Sequence, residues 1–91
     1  MVYLPAQAGA QMYIVYLIKS MSSSWFYVGM TSNLPKRVAQ HNAGKTRSTK
    51  THIPFELVYS KEFETRIDAR DYEKYLKIRS NKEKLLEKLN I

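Results

Sequence analysis

The sequence predicts one small α+β domain with the element order β-β-α-β-α-α, and three observations support this order. Two short runs of β-branched and aromatic residues lie near the start and are separated by a serine-rich segment. A segment with apolar residues at helical spacing follows them, and after it come a third extended run and two further helical patterns. A chain of 91 residues suits one domain rather than two.

The first two strands are predicted over residues 12–18 and 25–29, because β-branched and aromatic residues favour extended structure. The connection between them, Ser20–Ser24, is polar and short, so the two strands should form an antiparallel hairpin. Such a hairpin brings Tyr16 and Tyr27 onto neighbouring strands.

The first helix is bounded by residues that favour helix ends. It is predicted to carry Pro35 in its first turn and to stop at Gly44. The residues that can cap its start are Thr31, Ser32 and Asn33. Residues 45–52 have no periodicity and are predicted to be a loop, which leads into a third strand over residues 55–63.

Two capping boxes are predicted to open the last two helices. Thr65 is followed three residues later by Asp68, which stands where the pattern more often has Glu or Gln. Ser80 and Glu83 have the same spacing and predict the start of the final helix.

The charge of the chain is distributed unevenly. The net charge is +7; residues 1–55 carry six Lys or Arg and no acidic residue, whereas residues 56–91 carry nine basic and eight acidic residues. A solvated surface is the simple interpretation, but a one-sided distribution favours a polyanion, of which nucleic acid is the commonest. A membrane surface fits less well, because no broad apolar helical face lies opposite these charges. The candidate nucleic-acid-binding residues are Lys36, Arg37, Lys45, Arg47 and Lys50.

Composition narrows the remaining classes of protein. The chain has no cysteine, which excludes a disulfide framework and thiolate zinc sites and suits a reducing cytosol. No stretch approaches the roughly 18 apolar residues of a membrane span. We therefore expect a cytoplasmic protein without a membrane partner. Residues 1–11 are expected to form a loose N-terminal extension, and residues 12–91 the folded domain.

Glu73 is the most informative carboxylate. It falls within an apolar helical stripe formed by Ala69, Tyr72 and Leu76. A carboxylate is seldom buried unless it is paired or binds a metal. The simpler alternative is that Glu73 lies at the edge of the stripe and pairs with Lys77, four residues later. The alternative with chemical consequences is a magnesium site, since Mg²⁺ often uses one or two carboxylates together with waters and substrate phosphate.

Four further residues are suited to phosphate-ester chemistry. Arg37 and His41 are four residues apart and share one face of the first helix. Arginine can bind a phosphate with two hydrogen bonds, and a histidine can orient a water or relay a proton. Considered singly, Arg37 and His41 suit an exposed helix surface, and Tyr16 and Tyr27 suit strand packing. Gly29, which ends the second strand, permits a close approach of backbone or substrate.

As an ordered set these residues resemble the GIY-YIG nuclease family, particularly small stand-alone members similar to the nuclease domain of the bacterial excision-repair endonuclease. The resemblance extends from Tyr13 to about Lys82. The family's two strand motifs, its catalytic arginine, its helix histidine and its metal-binding glutamate correspond to Ile14-Val15-Tyr16, Tyr27-Val28-Gly29, Arg37, His41 and Glu73. The chain departs from the family in having Ile14 for the usual glycine, and in lacking a well-placed asparagine after the glutamate.

The resemblance implies a three-stranded antiparallel sheet flanked by helices, and a divalent-metal-dependent endonuclease that hydrolyses DNA in repair or recombination. In such an enzyme Glu73 would bind Mg²⁺ or Mn²⁺, and Arg37 would neutralise the scissile phosphate. Tyr16 would take the proton from the attacking water, while Tyr27 and His41 would orient the tyrosine or the water.

Two other functions remain open at this point. A non-catalytic nucleic-acid-binding module on the same fold explains the charge asymmetry equally well. A structural or protein-interaction domain would leave the ordered set of tyrosines, arginine, histidine and glutamate as a coincidence. The sequence does not distinguish DNA from RNA and does not give the oligomeric state.

Overall fold

The computed structural model describes residues 11–91 and has the predicted α+β order β-β-α-β-α-α. The strands form one antiparallel sheet in the order β2-β1-β3. The elements are β1 (Tyr13–Ser20), β2 (Phe26–Thr31), α1 (Leu34–Asn42), β3 (Phe55–Phe63), α2 (Arg66–Lys77) and α3 (Arg79–Lys88). Apart from Gln11, the predicted N-terminal extension lies outside the described residues. Within the described part of the chain, no helix has the length and apolar character needed to cross a membrane.

The central strand β1 is buried on both faces, which explains why its apolar residues run without alternation. Val15 to Ile18 are each 1% exposed or less. In the β1–β2 pairing Tyr16 lies opposite Gly29, and Ile18 lies opposite Tyr27. The predicted hairpin is therefore present, and it places the two tyrosines on one face of the sheet.

Each face of the sheet is covered by different helices. On one face Tyr16 and Ile18 pack with Phe55 and with two apolar residues of α1, Leu34 and Val38. The other face packs against α2 and α3, and its cluster includes Val15, Leu17, Val28, Ala69 and Leu76. The helix with Arg37 and His41 thus covers one face, and the helix with Glu73 covers the other.

The caps of α1 and α2 follow the sequence closely. Asn33 is the residue that caps α1, and its side-chain oxygen accepts a hydrogen bond from the Lys36 backbone N–H at 3.2 Å. The chain leaves α1 through Gly44, whose φ of +74° is a conformation that favours glycine. Thr65 caps α2 by accepting a hydrogen bond from the Asp68 backbone N–H at 3.1 Å.

Two sequence-based boundaries need correction. The second capping box is wrong, because a single residue, Ile78, separates α2 from α3, and α3 begins before Ser80. Glu83 instead accepts a hydrogen bond from the Arg79 Nε atom at 2.9 Å, as an exposed pair four residues apart. The predicted loop over residues 45–52 contains a short 3₁₀ helix, Lys50–His52, before β3.

The end of α1 is attached to the start of β3 by one side chain. The Phe55 backbone N–H donates to the Asn42 side-chain oxygen at 2.6 Å, and the Asn42 amide donates to the Phe55 carbonyl at 3.2 Å. Both backbone groups of Phe55 are thereby paired at the point where the strand begins. Because His41 precedes Asn42 in the chain, this attachment holds His41 against the sheet.

Candidate active site

Tyr16 lies across the neighbouring strand in space that a side chain at Gly29 would occupy. Its residue is 1% exposed. A Cβ atom added at Gly29 would collide with both the hydroxyl and the ring of Tyr16. The glycine of the second strand motif is therefore required by the packing of the tyrosine of the first, which is the close approach expected from the sequence.

A buried chain of hydrogen bonds joins Tyr16 to the loop after α1. The Tyr16 hydroxyl and His41 Nε2 are 2.8 Å apart, and His41 Nδ1 and Thr49 Oγ1 are 2.9 Å apart. The Thr49 hydroxyl in turn donates to the Thr46 carbonyl at 3.4 Å. Tyr16, His41 and Thr49 are all buried, and no buried side-chain nitrogen or oxygen among the described residues lacks a partner.

The direction of this chain follows from its last member. The Thr46 carbonyl oxygen can only accept, so the Thr49 hydroxyl gives its proton to it and accepts from His41 Nδ1. His41 Nε2 then has no proton and accepts from the Tyr16 hydroxyl. Tyr16 thus directs its proton towards His41, and the remaining lone pairs of its oxygen are free to accept another hydrogen bond.

Tyr27 completes a cluster of three rings. Its ring centroid lies 6.4 Å from that of Tyr16 and 5.2 Å from that of His41. The His41 ring is steeply inclined to both tyrosine rings, with interplanar angles of 62° and 60°. Tyr27 is partly exposed, unlike the other two residues. The structure therefore brings Tyr16, Tyr27 and His41 into contact.

Burial determines the protonation states in this cluster. Removal from water raises the pKa of Tyr16 to about 12, although the neighbouring Arg37 guanidinium acts in the opposite direction. Burial, together with the positive charge of Arg37, lowers the pKa of His41 below its usual value. Tyr16 is therefore a neutral phenol and His41 a neutral imidazole at pH 7, which agrees with the direction of the hydrogen-bond chain.

Arg37 lies at the margin of the cluster. It is half-buried on α1, and its Nη1 atom donates to the Gln40 side-chain oxygen at 3.1 Å. Its positive charge acts on the pKa of both Tyr16 and His41. No carboxylate of the described residues forms an ion pair with Arg37, so most of its donors are available to an anion.

Glu73 is held apart from the other candidate residues, on the helix that covers the opposite face of the sheet. Its side chain is 16% exposed, and one carboxylate oxygen lies 3.2 Å from the Lys77 Nζ atom. The simpler sequence-based interpretation, an ion pair with Lys77, is therefore present. The negative charge of Glu73 raises the pKa of Tyr16 slightly, but no hydrogen bond joins it to Tyr16, Arg37 or His41 within residues 11–91.

A metal ion would have to rely on Glu73. Residues 11–91 contain no group of three or more histidines or carboxylates that could hold a metal. A single carboxylate still fits Mg²⁺ or Mn²⁺, because waters and substrate phosphate can complete the shell. In the described part of the chain this carboxylate forms an ion pair only with the half-exposed Lys77 ammonium, and a surface ion pair of this kind is weak enough to be exchanged.

The other predicted basic residues lie on the surface. Lys36 is exposed on α1, and three more exposed cations follow α1 in the segment that ends with the 3₁₀ helix: Lys45, Arg47 and Lys50. None of these four forms an ion pair with a carboxylate of the described residues. Their positive charge is therefore available to phosphates.

Thr49 is the site residue that the sequence did not reveal. It lies in the segment after α1, whose sequence has no periodicity and contains further threonines, Thr46 and Thr51. Its burial and its bond to His41 depend on how that segment folds against the sheet. Nothing in the local sequence distinguishes Thr49 from the neighbouring threonines.

Comparison with known proteins places this geometry in a family. Residues 12–90 match the model of the GIY-YIG catalytic domain. The chain is 40% identical over 72 residues to the UPF0213 protein YazA of Bacillus subtilis, covering 78% of this chain and 72% of that protein. It is equally similar to a UPF0213 protein of Staphylococcus haemolyticus, covering 78% of this chain and 87% of the relative.

A solved structure has the same fold. It is the solution NMR structure of a UPF0213 protein from Bacillus halodurans, which matches with a TM-score of 0.54 and 28% sequence identity. The match covers 84% of this chain and 83% of the other. The family model, the relatives and the structural match agree with one another, and the chain belongs to the GIY-YIG catalytic-domain family.

Proposed function

We propose that this protein is an endonuclease that hydrolyses phosphodiester bonds in DNA with the help of Mg²⁺ or Mn²⁺. Membership of the GIY-YIG family implies an endonuclease-type activity on nucleic acid. The observation that carries the proposal is the bond from the Tyr16 hydroxyl to His41 Nε2, beside the positive charge of Arg37. A phenol, a neutral imidazole and a guanidinium together can move a proton and stabilise a phosphate.

In the proposed reaction Tyr16 and His41 move the proton. The attacking water donates a hydrogen bond to the Tyr16 oxygen, whose own proton is directed at His41 Nε2. As the water oxygen bonds to phosphorus and the bond to the leaving 3′ oxygen breaks, the water proton passes to Tyr16 and the phenol proton to His41. A relay is favoured over a preformed phenolate, because a pKa of about 12 leaves only about one phenol in 10⁵ ionised at pH 7.

Arg37 and Glu73 supply the charges. The planar guanidinium of Arg37 would bind two oxygens of the scissile phosphate and stabilise the charge that develops there. Glu73 would hold the divalent ion, which when bound supplies positive charge to the phosphate and the leaving oxygen. Tyr27 would orient Tyr16 through ring contact. A monomer with one such site cuts one strand at a time, so we expect nicks, and a double-strand break would need two copies.

The surrounding assignments belong to the same proposal. We infer that the catalytic domain comprises residues 12–91, that the protein works in the cytoplasm, and that DNA repair or recombination is its setting. The exposed cations Lys36, Lys45, Arg47 and Lys50 would bind phosphates of the substrate together with Arg37.

One observation favours a second function, a nucleic-acid-binding module without catalysis. The Glu73 carboxylate is already paired with Lys77, and Tyr16 is almost wholly buried. If neither group changed its contacts in the presence of substrate, the cations would bind nucleic acid and no cleavage would follow. A nicking assay on supercoiled plasmid with Mn²⁺, compared with EDTA, separates the two functions.

Replacing Glu73 by Gln should abolish metal-dependent nicking and leave DNA affinity nearly unchanged, because the amide keeps the shape of the side chain and loses the charge that holds the ion. Glu83→Gln is the matched control, since Glu83 also pairs with a cation four residues away but lies on α3. Isothermal titration of Mn²⁺ should show binding to the wild type and the control, and none to Glu73→Gln. Undiminished nicking by Glu73→Gln would remove this residue from the mechanism.

Tyr16→Phe should lose nearly all cleavage, whereas Tyr27→Phe should keep a measurable fraction because its role is orientation. The wild-type rate should rise with pH as His41 loses its proton, below its usual pKa of 6.5, and then stay level to pH 9. Single-turnover cleavage across this range is the measurement. An active Tyr16→Phe beside an inactive Tyr27→Phe would exchange the two roles. A rate that rises about tenfold per pH unit from 7 to 9 would indicate a preformed phenolate instead of the relay.

Thr49→Val should disturb the tautomer of His41, because it removes the acceptor for the Nδ1 proton. A buried donor left without a partner costs about 1–3 kcal/mol of stability. Thr49→Ser retains the hydroxyl and is the control. Nitrogen-15 NMR of the imidazole should find the Nδ1-protonated form in the wild type and the serine variant, and a different or mixed form in the valine variant. The same tautomer in all three proteins would show that Thr49 does not fix it.

A further inference from the structure

A cleft of about 670 Å³ lies at the end of the sheet where β1 begins and β2 ends. Tyr13 of β1 and Met30 of β2 contribute to it. Its remaining wall comes from the start of α1 on one side and from Arg66, the first residue of α2, on the other. The cleft therefore joins the two helices that cover opposite faces of the sheet and carry the candidate catalytic residues.

The charge of the cleft is positive only. Lys36, Arg37 and Arg66 line it, and no aspartate or glutamate does. None of these three cations forms an ion pair with a carboxylate of residues 11–91. Like charges gathered in one concave surface reinforce one another and attract an anion.

The neutral part of the lining is also polar. Side chains with hydroxyl or amide groups dominate it, including Thr31, Ser32, Asn33 and Gln40. Sites for small organic ligands are lined mainly by apolar and aromatic side chains. This cleft has the opposite character, so its chemistry suits a hydrated, extended polyanion better than a compact apolar ligand.

We propose that the cleft binds the sugar–phosphate backbone of the substrate strand next to the scissile phosphate, with Lys36 and Arg66 on a flanking phosphate. The proposal rests on the proposed function, because Arg37 belongs both to the cleft and to the cluster around Tyr16. The strand runs from Arg37, at the reacting phosphate, towards the start of α2. Arg66 is a residue to which neither the sequence nor the family motifs assign a role.

Arg66 can be tested against a neighbour on the same helix. Arg70 is also an exposed arginine of α2, but it does not line the cleft. Binding of a short fluorescein-labelled oligonucleotide, single-stranded and duplex, is measured by anisotropy in EDTA over a salt series. The proteins are the wild type, Arg66→Ala, Arg66→Lys and Arg70→Ala, each checked for an unchanged thermal unfolding midpoint.

Removal of one phosphate contact should reduce the slope of log affinity against log salt by about 0.9 on duplex and about 0.7 on single-stranded DNA. Arg66→Ala should therefore lose roughly threefold less affinity than the wild type between about 50 and 200 mM salt. Arg66→Lys and Arg70→Ala should keep the wild-type slope. An unchanged slope in Arg66→Ala, or an equal reduction in Arg70→Ala, overturns the proposal.

The binding experiment and the cleavage experiment fail separately. Because the anisotropy measurement is made without divalent ions, a protein that binds through Arg66 and never cleaves would contradict the proposed nuclease activity and leave the cleft assignment standing. A protein that cleaves while Arg66→Ala binds with the wild-type slope would contradict the cleft assignment alone.

Discussion

The hydrogen bond between the Tyr16 hydroxyl and His41 Nε2 is the constraint on which the candidate site depends. It joins the centre of the sheet to the last turn of α1 in a region without solvent access. Its geometry depends on a glycine at Gly29, on the attachment of α1 to β3 through Asn42, and on the hydroxyl of Thr49. Loss of any one of these features would leave a buried polar group unpaired or a ring without space, and each such defect is costly.

This arrangement assigns different chemical tasks to the two faces of the sheet. The face under α1 holds the phenol, the imidazole and the guanidinium, while the helix with Glu73 covers the other face. The cleft at the end of the sheet is where α1 and α2 both reach one concave surface. A substrate backbone in that cleft would lie between the groups that move protons and the carboxylate suited to a metal. The same surface, without a competent carboxylate, would make a binding module.

The sequence predicted those features that depend on periodicity and local spacing. The element order, the strand over residues 55–63 and the shared face of Tyr16 and Tyr27 follow from alternation and from a short turn. The false capping box at Ser80 shows the limit of local rules, because the α2–α3 junction at Ile78 decides where the last helix begins. Thr49 depends on the path of a loop without periodicity, and its burial is a tertiary property. For Glu73 the sequence left an ion pair and a metal site open, and the structure contains the ion pair.

The central claim is that Tyr16 and His41 act as one unit in moving the proton, and a double-mutant cycle tests it most directly. Single-turnover cleavage rates are compared for the wild type, Tyr16→Phe, His41→Gln and the double variant at saturating Mn²⁺, after each protein is shown to be folded. If the two side chains form one relay, the double variant should be no slower than the slower single variant, since either change already breaks the relay. Rate losses that multiply in the double variant would mean that the two residues act independently, and would contradict the account.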